Sequence, residues 1–139
     1  MIEHHVYFAV FGFDEDPDTI TRVAGATPDD IWRQGESYSA LTPEARRMEN
    51  RWILASNLDQ QASHREHFEA LLIKLEALGD NLTTLRQTYR CGIGVSQYFF
   101  MDDPTFYLPG DLMKRYRALS LTLTFDQLGL DASPATSDN

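Results

Sequence analysis

The sequence predicts an α+β domain: a mixed, mostly antiparallel sheet with its helices packed on one face. Three features of the sequence point there. The stretch from Arg51 to Gly79 reads as a buried strand, a polar turn and the longest amphipathic helix of the chain. The segment His4–Phe13 is rich in β-branched and aromatic residues and apolar on both sides, as a central strand should be. Strand-like and helix-like segments then follow in the order β-α-β-α-β-β-α-β.

The long helix is the clearest element. Ser63 suits an N-cap, and Glu66 stands three residues on, which completes a capping box. Phe68, Leu71, Leu72, Leu75 and Leu78 recur at about 100° per residue and share one arc. Arg65, Glu66, Glu69 and Glu76 take the other side, and Gly79 ends the helix. Before it, Trp52–Leu54 forms a short strand, with Asn57–Gln60 as the turn out.

From the start, Tyr7, Ala9 and Phe11 face one way and Val6, Phe8 and Val10 the other. Asp16 as N-cap, Pro17 at the first helical position and Gly25 past the end define a short helix. Residues 26–51 are the least regular part: turns at 27–30 and 34–36, one helical turn opened by Thr42 and Pro43, and Trp32, Tyr38 and Leu41 as anchors. Leu85–Cys91 alternates as a strand, Gly92 and Gly94 suggest a turn or bulge, and Val95–Phe100 continues as another strand. Asp102, Asp103 and Pro104 break it. Asp111 is positioned to cap a last helix, with Leu112, Met113, Tyr116 and Leu119 inward and Lys114, Arg115 and Arg117 outward. Leu121–Phe125 is the final strand. Residues 1–130 form one domain, and 131–139 read as a disordered tail.

With 139 residues and 42% hydrophobic content the chain can bury a core unaided. Its single cysteine, Cys91, allows neither an internal disulfide nor a cysteine-based zinc cluster. No apolar run is long enough for a membrane span, and the opening Met-Ile-Glu-His-His lacks a signal peptide's basic region, so the expected compartment is the cytoplasm. The net charge of −9 is concentrated at the front, where residues 1–30 hold seven acids against one base. That balance disfavours nucleic acid and anionic lipid and favours a basic protein partner.

Ile20-Thr21-Arg22, Thr27-Pro28, Gly35-Glu36, the strand Trp52–Ser56 and the Glu/His/Leu-rich helix after it resemble an uncharacterised bacterial domain-of-unknown-function family of about this length. The resemblance runs from Val6 to about Leu128. It implies a bacterial cytosolic domain and carries over no activity and no catalytic residue. Small acidic bacterial proteins of this kind include immunity proteins that neutralise toxins, an analogy at the level of size and charge.

No catalytic constellation stands out, and the chain reads as a binding protein rather than an enzyme, with no cofactor and no metal. Asp14, Asp16 and Asp18 begin like a calcium loop, but Thr19 and Gly25 occupy the positions that need glycine and glutamate. His64 and His67 lie one turn apart without an HExxH pattern, so capping a core is their ordinary role. Cys91 beside Arg90 reads as a small buried hydrophobe, and Gly92-Ile-Gly94 lacks the third glycine of a phosphate loop. Two surfaces are expected to matter. One is an acidic patch of Asp14, Glu15, Asp18, Asp29 and Asp30, with Phe106 and Tyr107 as aromatic anchors for a protein partner. The alternative is a small-molecule pocket, even an enzyme's, between the sheet and residues 26–51, where Arg46, Arg47 or Arg51 holds an anion. A homodimer through an exposed sheet edge is the third expectation.

Overall fold

The segment that alternates on both faces is the middle of the sheet. A computed structural model describes residues 2–39, 42–99, 105 and 107–129. Its elements are β1 (Ile2–Phe11), α1 (Pro17–Ala24), β2 (Asp30–Trp32), β3 (Ser37–Ser39), β4 (Thr42–Arg46), β5 (Arg51–Ala55), α2 (His64–Leu78), α3 (Asp80–Thr88), β6 (Arg90–Phe99), α4 (Gly110–Leu119) and β7 (Thr122–Gly129). Five strands form one sheet in the order β2-β5-β1-β6-β7, and β3 and β4 form a separate hairpin. β1 runs antiparallel to both β5 and β6, while β7 joins β6 in parallel after the α4 crossover. The fold is α+β with a mostly antiparallel mixed sheet, as the sequence predicts.

The helices cover the face that carries Val6, Phe8 and Val10. These pack with Trp52, Leu54, Ile93 and Val95 from the neighbouring strands and with Phe68, Leu71, Leu72 and Leu75 from α2. Both predicted helix starts are built as expected. Asp16 Oδ1 accepts the Asp18 N–H at 2.9 Å, ahead of Pro17. Ser63 Oγ accepts the Glu66 N–H at 3.2 Å, and the Glu66 carboxylate accepts the Ser63 N–H at 3.0 Å. Buried polar groups inside this layer find partners: Trp52 Nε1–H donates to Thr21 Oγ1 at 3.0 Å, and the Tyr116 hydroxyl to the Phe68 carbonyl at 2.5 Å.

Several expectations are corrected. Residues 85–91 are not a strand: Leu85 lies in α3, and β6 begins only at Arg90. Leu85 and Tyr89 are four apart, a spacing compatible with both the strand and the helix period, and buried Leu82 decides for the helix. Gly79, at φ +57° and ψ −132°, turns the chain from α2 straight into α3, a conformation costly for any other residue. Residues 26–51 hold three strands rather than one irregular loop, and Thr42 and Pro43 lie in β4 instead of opening a helical turn. A two-stranded hairpin tolerates that proline because its missing N–H can face outward. The last helix is capped at Pro109, not Asp111, whose carboxylate instead takes two bonds from Arg65 at 3.0 and 2.7 Å. Met113 is 53% exposed, not inward. Leu41, Phe106, the 102–104 break and the tail 131–139 lie outside the described residues, as does the Tyr38 side chain.

Gly92 and Gly94 form neither turn nor bulge. They pair in unbroken register with Ala9 and Tyr7. A Cβ at Gly94 would overlap the Tyr7 ring, and one at Gly92 would lie 3.5 Å from Phe11 Cζ. The Tyr7 ring thus occupies the side-chain space that Gly94 leaves open, a cross-strand use of glycine known to restore packing in sheets, while Phe11 stands at ordinary contact distance from Gly92. Gly94→Ala is expected to cost about 1–3 kcal/mol in chemical denaturation, and clearly less in a Tyr7→Ala background. An equal cost in both backgrounds would contradict this packing.

Candidate ligand-binding face

The face of the sheet opposite the helices is open, and register decides what stands on it. Trp32 pairs with Arg51, Arg51 with Phe11, and Phe11 with Arg90. Directly paired residues project to the same side, so these four form one row across β2, β5, β1 and β6. The Arg51 guanidinium carbon lies 4.8 Å from the Trp32 ring centre and 5.4 Å from that of Phe11. Arg90 lies 5.0 Å from the Phe11 ring, and Arg47 stacks on Trp32 at 3.5 Å. The row is a ladder of cations and aromatic rings. Each such contact is worth about 0.5–1 kcal/mol when exposed, and together they fix where the guanidinium groups point.

Local chain geometry holds the ladder in place. Asn50 donates from Nδ2 to the Phe13 carbonyl at 2.7 Å and accepts the Gln34 N–H at 2.7 Å, tying the turn after Trp32 to the end of β1. Arg47 is set by two main-chain bonds: its N–H to the Glu36 carbonyl at 2.8 Å and its carbonyl to the Gly35 N–H at 3.0 Å. Gly12, at φ +72°, donates its N–H to the Asn50 carbonyl, and a Cβ there would stand 2.8 Å from the Arg90 guanidinium. The positive φ favours glycine at that position. Glu49 bridges the row, 2.6 Å from Arg90 and 3.5 Å from Arg51.

Beside the row the face sinks into an open concavity of about 630 Å³. Tyr7, Phe11, Gly92, Gly94, Thr122 and Thr124 form its floor and side, Arg51 and Arg90 stand at its Phe11 end, and Arg86 of α3 also lines it. Among the described residues lining it there is no carboxylate. The Arg86 Nε–H is buried and donates no hydrogen bond to the described residues. Cys91 also borders it, but burial pushes its thiol up to about 12, so it is not a nucleophile at neutral pH.

The structure brings Arg47 and Arg51 to one aromatic row, whereas Arg46 stands exposed on β4. Arg90, Arg86, Phe11 and Tyr7 were not singled out by the sequence as site residues. The signal for the row was present: β5 and β6 each open on an arginine, and both run antiparallel to β1, so both starts meet its end at Phe11.

The acidic residues are dispersed among internal tasks. Glu15 accepts the Tyr89 hydroxyl at 2.7 Å, which holds its carboxyl below the usual range. Asp30 accepts from the Ile31 N–H and from Trp32 Nε1–H. Asp29 accepts from the Ala55 N–H at 2.8 Å, Lys74 at 3.2 Å and Asn57 at 2.5 Å. Partial burial pushes the Asp29 carboxyl up, and these bonds more than offset it, so its pKa falls below the ordinary 3.8. Asp14 and Asp18 are exposed around the start of α1. Tyr107 is 47% exposed, with its ring 4.6 Å from that of His64.

The two histidines of α2 have separate surroundings. His67 Nε2 bonds the Asp59 carbonyl at 3.0 Å, so that nitrogen carries the proton, and Nδ1 accepts the Ser56 hydroxyl at 2.6 Å. This Ser–His pair is buried, with His67 only 1% exposed, and its far nitrogen is spent on a main-chain carbonyl. It fastens the loop between β5 and α2 and is closed to a substrate. His64 is buried against Tyr107 and Phe68.

Residues 2–130 match the family described as Domain of unknown function (DUF4279). The chain belongs to that family. Searches among functionally described proteins and among solved structures returned no match. Among the described residues no helix of this DUF4279 protein is long and apolar enough to cross a membrane.

Because the Asp29 pKa is depressed in the fold, its stabilising effect is fully present above 3.8 and is lost as pH falls through the folded value. Asp29→Asn should therefore cost about 1–2 kcal/mol near neutral pH. Thermal or chemical unfolding followed downward in pH should show wild type and variant converging in acid. A gap independent of pH would refute the linkage.

Proposed function

We propose that this domain is a binding protein for a small anionic ligand, held on the open face of the sheet by Arg51 and Arg90, with Arg86 at the wall. The carrying observation is a concavity of ligand size lined by three arginines against the one carboxylate of Glu49 that bridges Arg51 and Arg90, on a chain whose net charge is −9. A cationic site in so acidic a protein runs against composition and calls for a use.

Physical chemistry favours this occupant. Guanidinium groups are weakly hydrated and present paired donors that match a carboxylate or phosphate. Stacked on Trp32 and Phe11, they are already oriented, so little side-chain freedom is lost on binding. Glu49 supports the reading as an internal carboxylate on Arg51 and Arg90: it marks a position where an anion is accepted, and it competes with one. The acidic net charge discourages a long polyanion, whereas a small anion meets only local charge, since screening in physiological salt acts over about 8 Å.

A second reading, a partner-neutralising role toward a protein with a basic surface, draws on exposed Asp14 and Asp18 and on the surplus of acids in residues 1–30. It is the weaker one, because Glu15, Asp29 and Asp30 already serve partners within the chain.

Calorimetric titration with pyrophosphate separates the two. Binding is expected, weakening as salt rises. Arg90→Gln should weaken it roughly tenfold, about 1.4 kcal/mol, and Glu49→Gln should tighten it. Opposite effects from two paired side chains cannot arise from general loss of structure. Asp14→Asn should change nothing. Absence of binding by wild type and by Glu49→Gln would overturn the anion reading and leave the basic-partner reading in its place.

A further inference from the structure

Resting on the anion reading, we propose that the ligand also carries a planar ring, separated from its anionic group by a polyol-sized spacer: a nucleotide, with the ring stacked on Tyr7. Three observations along the concavity, beyond the arginines, support this class.

The first is the Tyr7 platform. Tyr7 is half-buried, and its ring occupies the place a Gly94 side chain would take, so it lies down on β6 rather than standing off the sheet. Its outer side borders the concavity. Phe11, four residues along, lies near Gly92 but already has Arg51 and Arg90 on its ring, whereas Tyr7 has no such cation among the described residues. A flat aromatic surface at the end away from the arginines suits a base, since every base has a π-face.

The second is distance. Tyr7 and Phe11 are four residues apart on one strand, about 13 Å at the usual rise. A ring with a directly attached carboxylate or phosphate cannot reach from one to the other. A ring joined to its phosphate through a sugar is of the right order, the more so because the arginine side chains extend over the floor.

The third is what lies between. Thr122 pairs with Gly92, in the row between Phe11 and Tyr7, and Thr124 pairs with Gly94, in the row of Tyr7 itself; both are exposed and line the concavity. Their hydroxyls can donate and accept, which matches a polyol such as ribose. Along the face the rows thus carry cations, then the Thr122 hydroxyl, then the Tyr7 ring with Thr124 beside it, in the order phosphate, sugar, base. Glycine at 92 and 94 keeps this track clear, because any side chain there would collide with Tyr7 or stand in the path.

The test is calorimetry on the full chain with adenosine 5′-monophosphate, adenosine 5′-diphosphate, ribose 5-phosphate, pyrophosphate and a short single-stranded oligonucleotide. At least one adenosine nucleotide should bind roughly tenfold or more tightly than ribose 5-phosphate, the added affinity being the stacked ring. Tyr7→Ala should abolish that difference while pyrophosphate still binds, and Tyr7→Phe should retain it. The pyrophosphate readout reveals whether the variants still fold. Equal affinity for nucleotide and sugar phosphate overturns the ring and leaves the anion site standing. Failure of every phosphate to bind overturns both. An oligonucleotide bound more tightly than either mononucleotide also overturns the proposal, because the face would then track a strand.

Discussion

The structure depends on the register of β1. This strand pairs along its length with β6 and over its second half with β5, both antiparallel, so its two faces are fixed twice. One face, Val6, Phe8 and Val10, is the floor of the hydrophobic layer under the helices. The other carries Tyr7 and Phe11. A slip of one residue would send the aromatic–arginine row into the core and the core valines into water. The burial of the helical face therefore specifies the geometry of the open face. Arg51 and Arg90 meet Phe11 because Trp52, Cys91 and Val10 must meet α2 and its neighbours on the other side.

Net charge and local charge act at different ranges. Over the whole molecule the acids dominate, and many serve local structure: Asp16 caps α1, Asp29 gathers Ala55, Asn57 and Lys74, Glu76 pairs with Arg115. These are surface pairs, individually worth little. On the open face the balance reverses within one cluster. There the arginines are held by rings and main-chain bonds, with Glu49 the carboxylate that bridges Arg51 and Arg90. The Arg51 and Arg90 guanidinium groups lie against aromatic surface.

Much of the fold was legible in the sequence because its signals were local. The capping box at Ser63, the Asp16-Pro17 start and the two-sided alternation of β1 each involve neighbours in the chain. What escaped was set by distant partners. Leu85 and Tyr89 fit two periods, and only packing of Leu82 under the sheet decides between them. Gly92 and Gly94 look like breakers until β1 is paired beside them and the Tyr7 ring fills the place of a Gly94 side chain. The candidate site was legible by half. Arg47 and Arg51 stood out as cations near an irregular segment, but Arg90 lies far along the chain, and Trp32 read as a core anchor. Four strands must be paired before their side chains form a row.

The most direct test of the anion-binding face is amide NMR of the labelled chain, with chemical shifts followed as pyrophosphate is added. The account predicts that the largest changes fall on Phe11, Gly12, Arg51, Arg90 and Gly92, with the Arg51 and Arg90 guanidinium signals moving along the same binding curve. Changes confined to the start of α1 around Asp14–Asp18, or a spectrum that pyrophosphate leaves untouched, would contradict it.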